Sequence, residues 1–412
     1  MKKIITFFGL ALGIVLFPAG AKIFAQSSND SSLYKLQQEV NSLKLGESHF
    51  MVVGLATFGF VSSSTTITSP NGVSVLQKPA RTNTFDGNNF EFSPMFLWRH
   101  GKKLLIEFEP SFDGNAIGVN WACASYFVTH GLIIRGGYLV LPFGMYNKRL
   151  AAGWIDKVAT DPIGLADLPS ASDWGVEAEG GFQMGSMKGS YDVALTTGYQ
   201  IVHDGVQDGA IQNPNGSGLT DNNNNKTISG RVSILPIPNS SLELGFSGLY
   251  GTVGDTNDSL YKDAKTMAYA VDLTYLADLG PLLLNVKGQY NVINTDKGTF
   301  PSVDTASASK TYTFTNTTTS YFGQVSLRPV AIHNKVLRNF ELAFRYTNFM
   351  TPKGSLWEQH TNQTSIGLDY WLSWRSVLKL TYETVNTNNF SLGNTGDASK
   401  TNYIYLQYSV QF

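Results

Sequence analysis

Apolar and polar residues alternate along most of this chain, and that period of two constrains the fold more tightly than any other feature. Over 89–99, Phe90, Phe92, Phe96 and Trp98 share one parity while Glu91, Ser93 and Arg99 share the other. Over 103–112, Leu104, Ile106, Phe108 and Phe112 oppose Lys103, Glu107, Glu109 and Ser111. Trp174, Val176, Ala178 and Phe182 oppose Glu177, Glu179 and Gln183. Tyr191, Val193, Leu195, Tyr199 and Ile201 oppose Asp192, Thr196 and Gln200. One apolar face at period two marks a strand, because successive side chains point to opposite sides of a sheet.

Sixteen such windows begin near His49, Asn89, Lys103, Val119, Gly131, Trp174, Ser190, Thr227, Ser241, Met267, Leu282, Ser320, Phe340, Gln363, Val377 and Asn402. Most run 9–13 residues, and a tilted strand needs about 9–11 to cross a bilayer. The first and fourth are apolar on both parities, so their facing stays open. Charges indicate the wet side. Eight bases (Arg99, Lys103, Arg135, Arg231, Lys287, Arg328, Arg345, Lys379) fall in the windows with eleven acids (Glu91, Glu107, Glu109, Glu177, Glu179, Asp192, Glu243, Asp272, Glu341, Asp369, Glu383). All nineteen take the parity opposite the apolar residues. An Arg or Lys on the lipid face at mid-bilayer costs about 2–4 kcal/mol, which accounts for the exclusion.

The links sort too. Those at 61–88, 144–173, 203–226, 252–265, 294–311 and 386–401 are long and polar, whereas 100–102, 185–189, 237–239, 278–281 and 373–376 are tight and 329–339 is a longer exception. Long odd-to-even and tight even-to-odd links predict an all-β chain: a transmembrane antiparallel up-and-down β-barrel of about 16 strands over 47–412, with both ends on the short-turn side.

Composition supports this class. Charged residues make up 15% of the 412, against about 25% in soluble domains. A net charge of −1 excludes a strongly basic nucleic-acid binder. Cys123 is the sole cysteine, so no intramolecular disulfide and no Cys-x-x-Cys metal site can form. At the N-terminus, Lys2 and Lys3 precede an apolar run over 4–16, Pro18 and Gly20 follow, and Ala25 precedes Gln26. That pattern predicts a cleaved secretory signal peptide over 1–25, with the run too short to span as a helix. Its removal leaves 27 basic against 31 acidic residues. Residues 26–46 read as a polar linker and a short amphipathic helix, in which Leu33, Leu36, Val40 and Leu43 form an a/d seam of about two heptads. Such a helix either lies on the protein's own surface or zips subunits together.

No catalytic arrangement emerges. The six histidines (49, 100, 130, 203, 333, 360) are scattered, and none belongs to a recognisable Ser/His/Asn or Asp/His set. The run 221–225 lacks the spaced acids and closing Glu of a calcium loop. No enzyme activity, cofactor or metal is expected.

Ile404, Leu406, Tyr408, Val410 and Phe412 alternate to the chain's end. This closing strand resembles the insertion signal of Gram-negative outer-membrane barrels. The resemblance implies the outer membrane as location, its lipid and lipopolysaccharide as surroundings, and the barrel-assembly machinery as a partner during insertion. Arg135-Gly136-Gly137-Tyr138-Leu139-Val140-Leu141-Pro142-Phe143-Gly144 resembles a strand-end signature of the phosphate-selective porin O and P-like family. So do Thr364-Ser365-Ile366-Gly367-Leu368-Asp369-Tyr370-Trp371-Leu372 and Leu378-Lys379-Leu380-Thr381-Tyr382. The resemblance spans 46–412. It implies a homotrimer of water-filled channels, each narrowed by an inward-folded third loop and passing small hydrophilic solutes or ions. The lysine cluster of the phosphate-selective members has no counterpart here, where acids outnumber bases on the wall. A phosphate- or anion-selective porin therefore stands as the alternative, beside an adhesin or structural barrel with an occluded lumen.

The link 144–173 is the candidate constriction. Lys148, Arg149 and Lys157 lie there beside Asp156, Asp161, Asp167 and Asp173, with Trp154 and Ile155 to pack it inward. Basic and acidic groups on opposite sides of an opening set up a transverse field that orients solutes. On the lumen wall, Arg99, Lys103 and Arg135 either face that opening or pair with Glu107, Glu109 or Glu177.

Overall fold

The structure is a computed structural model describing residues 47–75, 79–85, 90–113, 116–149, 155–165, 171–212, 223–257, 261–301, 311–389 and 396–412. The signal peptide (1–25) and the linker and helix (26–46) expected from the sequence lie outside these residues, as do Trp154 and Asp167. Sixteen long strands follow in chain order: β1 (Ser48–Thr68), β2 (Glu91–His100), β3 (Leu104–Asp113), β4 (Ile117–Thr129), β5 (Leu132–Val140), β6 (Ser172–Met184), β7 (Met187–Thr196), β8 (Thr227–Leu235), β9 (Leu242–Thr252), β10 (Lys265–Leu279), β11 (Leu282–Thr295), β12 (Thr317–Pro329), β13 (Phe340–Met350), β14 (His360–Ser373), β15 (Ser376–Asn388) and β16 (Ala398–Gln411).

Each strand pairs antiparallel with the next. β1 then pairs with β16 from Leu55↔Gln411 to Thr68↔Ala398, closing the barrel. Above β2, the outer part of β1 also carries a short exposed strand, Ala80–Phe85.

The packing is inverted relative to a water-soluble protein. On β13–β16 the outward row runs Leu342↔Leu368↔Leu380↔Leu406, with Phe344↔Ile366↔Tyr382↔Ile404 beside it. All eight side chains are exposed, whereas Arg345, Ser365, Asp369, Lys379, Thr381 and Ser409 on the inward parity are buried. Hydrocarbon wants the first set and rejects the second, so only a membrane-spanning barrel satisfies both. The two ambiguous strands resolve as well. Phe50, Val52 and Phe58 point out from β1 while Thr57 and Val61 are buried, and Ser125 is buried between the exposed Ala124 and Tyr126 on β4. The C-terminal Phe412 bonds Gly54 through both backbone groups at 3.0 and 3.1 Å and stacks on Phe92, with ring centres 5.6 Å apart.

Three details differ from the sequence reading. The β3–β4 link is tight, with three residues separating Asp113 from Ile117. Lys103 lies in the β2–β3 turn rather than on the wall, its ammonium 5.7 Å from the centre of the outward-facing Tyr126 ring. A flexible stem at a strand end lets that charge reach water along an aromatic edge. The alternation read through Ile201 breaks at Thr196, where β7 ends. Tyr199 turns inside and packs with Leu141, Phe143, Ile211, Leu249, Val253 and Ile293 in an apolar cluster within the barrel. Apolar burial away from lipid competes for the same residues as the lipid face, and here it wins.

Candidate functional site

The link after β5 enters the lumen. It is fastened at its base by the Leu141 N–H donating to the Ala171 carbonyl at 2.8 Å. Pro142 ends strand pairing, and Gly144 turns the chain at φ +66°. The Gly144 N–H donates to Ser247 Oγ on β9, and the Met145 and Tyr146 N–H groups share Gln289 Oε1 on β11 at 2.8 and 3.0 Å. A Cβ at position 144 would sit 2.1 Å from Gln289 Nε2, on backbone that disfavours any side chain. Gly144→Ala is therefore expected to break this anchor and cost about 1–3 kcal/mol. A lower melting temperature in detergent, followed by circular dichroism, checks it.

A short helix, α1 (Tyr146–Arg149), follows. Beyond it, residues 155–165 dock on the far wall. Arg345 of β13, fully buried, donates to Asp156 Oδ2 at 3.0 Å and to both the carbonyl and Oγ1 of Thr160. Lys157 approaches Glu341 at 3.3 Å and lies 4.4 Å from the Trp371 ring centre. Lys379 Nζ donates to the Val158 carbonyl, Thr381 Oγ1 accepts from the Ala159 N–H, and Gln407 Nε2 donates to the Ala159 carbonyl. Gln363 receives the Ile163 N–H at 3.3 Å and donates to the Asp161 carbonyl at 3.1 Å. Inward polar residues of β9, β11 and β13–β16 thus satisfy the loop backbone, the condition for irregular chain at membrane depth.

Charge separates onto two sides. On the near wall, Lys148 binds Glu177 and approaches Asp192 at 3.5 Å and Glu179 at 3.6 Å. Burial opposes its charge, but those three carboxylates outweigh it and raise the ammonium above its ordinary value. Arg135 reaches Glu179 at 2.7 Å and Glu177 at 3.8 Å. These side chains and Glu107 line a cavity of about 470 Å³ between the loop and β3–β7, which holds four carboxylates against two permanent cations. Among the described residues, Glu177, Glu179 and Asp192 form the one acidic group close enough to share a metal ion, and the Lys148 ammonium already supplies positive charge there.

The residues singled out from the sequence are therefore divided. Lys148 meets the near wall, Asp156 and Lys157 are committed to the far wall, and Asp161 is exposed while accepting from the Tyr146 hydroxyl. Arg149 closes α1. Arg135 pairs with Glu177, but Arg99 donates to the Gly101 and Lys102 carbonyls at 3.2 and 2.8 Å and covers the Phe127 ring. Glu109 accepts from Asn120 Nδ2 at 2.9 Å, and Glu107 from Ser125 at 3.3 Å. Arg345, Lys379, Gln289 and Gln363, which hold the loop, had only their inward parity to mark them.

Above the loop, the mouth is tied by aromatic rings. Phe300 is fully buried, stacked on Tyr261 at 5.2 Å and Phe314 at 5.5 Å, with His203 4.9 Å from Tyr261. Burial and the neighbouring Asp208 carboxylate push the Tyr312 phenol above its ordinary value, so it stays neutral and donates to Asp208 Oδ2.

No protein-family model matches the chain, and no curated protein matches it in sequence. Its fold does match solved structures. The anion-selective porin of Comamonas acidovorans aligns at 13% identity over 89% of this chain and 100% of that one, with a TM-score of 0.51. The outer-membrane channel DcaP of Acinetobacter baumannii aligns at 10% identity over 89% of this chain and 97% of that one, with a TM-score of 0.50. At these identities the likeness is one of fold: the closed antiparallel barrel of outer-membrane porins.

Proposed function

We propose that this chain is an outer-membrane porin, giving passive diffusion to small hydrophilic solutes and ions between its inward loop and the wall of β3–β7. The observation that carries this reading is the barrel's inverted packing, apolar outside and ionic inside, around the charged 470 Å³ cavity. A barrel of sixteen strands is wide enough to leave an aqueous path unless it is plugged. In this reading Lys148 and Asp161 edge the constriction, while Asp156 and Lys157 hold the loop in place. Four carboxylates against two paired cations make the passage weakly cation-preferring. In this reading the exported chain loses residues 1–25 and assembles as a homotrimer. No chemistry is catalysed.

Planar-bilayer recording of the purified chain tests this. Discrete open-channel steps and a reversal potential on the cation side are expected in a salt gradient. A clear anion preference would favour the phosphate-porin resemblance and the selectivity named for the Comamonas porin. Silence would favour a structural barrel, a reading helped by the apolar cluster that fills the lumen beside β9–β11.

A further inference from the structure

A second cavity, of about 220 Å³, opens within the mouth, against the inner faces of β11, β12 and β13 and beneath the links after β7 and β13. Its chemistry is unlike that of the charged passage. None of its fourteen lining residues is ionisable: amides (Gln207, Gln212, Gln359) and hydroxyls (among them Thr318) alternate with the rings of Phe349 and Trp357. We propose that it binds one ring of an uncharged saccharide.

Charged and apolar ligands each fail on a specific lack. An anion would find no cation here and a cation no carboxylate, while an apolar solute would strand the amides. A sugar ring offers C–H faces for the aromatic rings, and hydroxyls that both donate and accept, as amides do. The volume falls below the roughly 300–1,000 Å³ of drug-sized sites, which suits a single ring. The walls are preformed. Trp357 Nε1 donates to the Asp208 carbonyl at 2.9 Å, Thr351 Oγ1 to the Trp357 carbonyl at 2.7 Å, and Asn316 Nδ2 to the Gly209 carbonyl at 2.6 Å. Asp208, the neighbouring acid, is fully buried and engaged with the Gly205 N–H and the Tyr312 hydroxyl. The Gln207 and Gln212 side chains are exposed and make no hydrogen bond among the described residues, so they remain available to a ligand. Phe349 also lies against Gly164 of the inward loop, which puts the site beside the loop's docked segment on the far wall.

The test is calorimetric titration of the full chain, in a detergent without a sugar headgroup, with glucose, maltose and sodium phosphate. Saturable binding of glucose or maltose is expected. Trp357→Ala should weaken it about tenfold through the lost stacking face. Gln212→Ala, at an exposed position, should weaken it several-fold with the melting temperature unchanged, and it keeps the test decisive if the Trp357 variant misfolds. Absence of saccharide binding, equal binding of phosphate, or full affinity in both variants would overturn the proposal. Bilayer recordings separate it from the channel reading. Saccharide binding with electrically silent protein overturns the porin and leaves the site standing, and open channels without saccharide binding overturn the site alone.

Discussion

Replacing Arg345 by alanine is expected to release the inward loop from its far wall and to destabilise the barrel by about 3–5 kcal/mol, the usual cost of removing one member of a buried ion pair. The guanidinium is fully buried, and it satisfies Asp156 and both oxygens of Thr160. Without it, the Asp156 carboxylate keeps hydrogen bonds from the Tyr146 hydroxyl and the Val158 N–H at 3.2 and 3.4 Å, and the charges of the buried Lys379 and Lys287 nearby. None of these replaces the direct ion pair, and the buried carboxylate is left less well satisfied. Residues 155–165 should then swing from β13, raising single-channel conductance and current noise and opening the loop to added protease. Arg345→Lys keeps the charge but loses the two-pronged geometry, and should fall between. An Arg345→Ala protein with parental conductance and parental melting temperature would show that the loop is held by its apolar contacts instead.

Neutralising the near wall is expected to reverse ion preference. The combined variant Glu177→Gln, Glu179→Gln, Asp192→Asn leaves Arg135 and Lys148 facing Glu107 as the remaining carboxylate among the cavity's charges. The reversal potential should cross zero to the anion side at 0.1 M salt, where fields reach about 10 Å, and shrink toward zero at 1 M, where they reach about 3 Å. Lys148 also loses its tether, so the loop end near α1 should loosen. A variant that stays cation-preferring would place the selectivity elsewhere in the lumen.

Much of the architecture was legible because hydrocarbon enforces alternation residue by residue. Thr227, Leu282 and Phe340, read as strand starts, are the first residues of β8, β11 and β13. The site was legible only in part. That the 144–173 link turns inward, as its described residues do, followed from the family resemblance, and its partners did not. Asp156 and Arg345 stand 189 positions apart, and their meeting depends on register summed around eight strands and on how far the loop reaches. No local period encodes that. Tyr199 misled for a related reason: its parity continued the strand, while its burial was decided by Leu141 and Phe143, which arrive from another link.

The seam between the first and last strands also sets a timetable for assembly. Thr57 waits for Ser409, 352 positions later, before their hydroxyls can bond. Until the final segment has been made, two rows of backbone donors and acceptors stand bare, and bare strand borders recruit copies of themselves. Pairings so remote in sequence also form slowly. The newly made polypeptide therefore needs shielding from its siblings throughout its transit, and a premature stop anywhere upstream of β16 leaves nothing that lipid will accept.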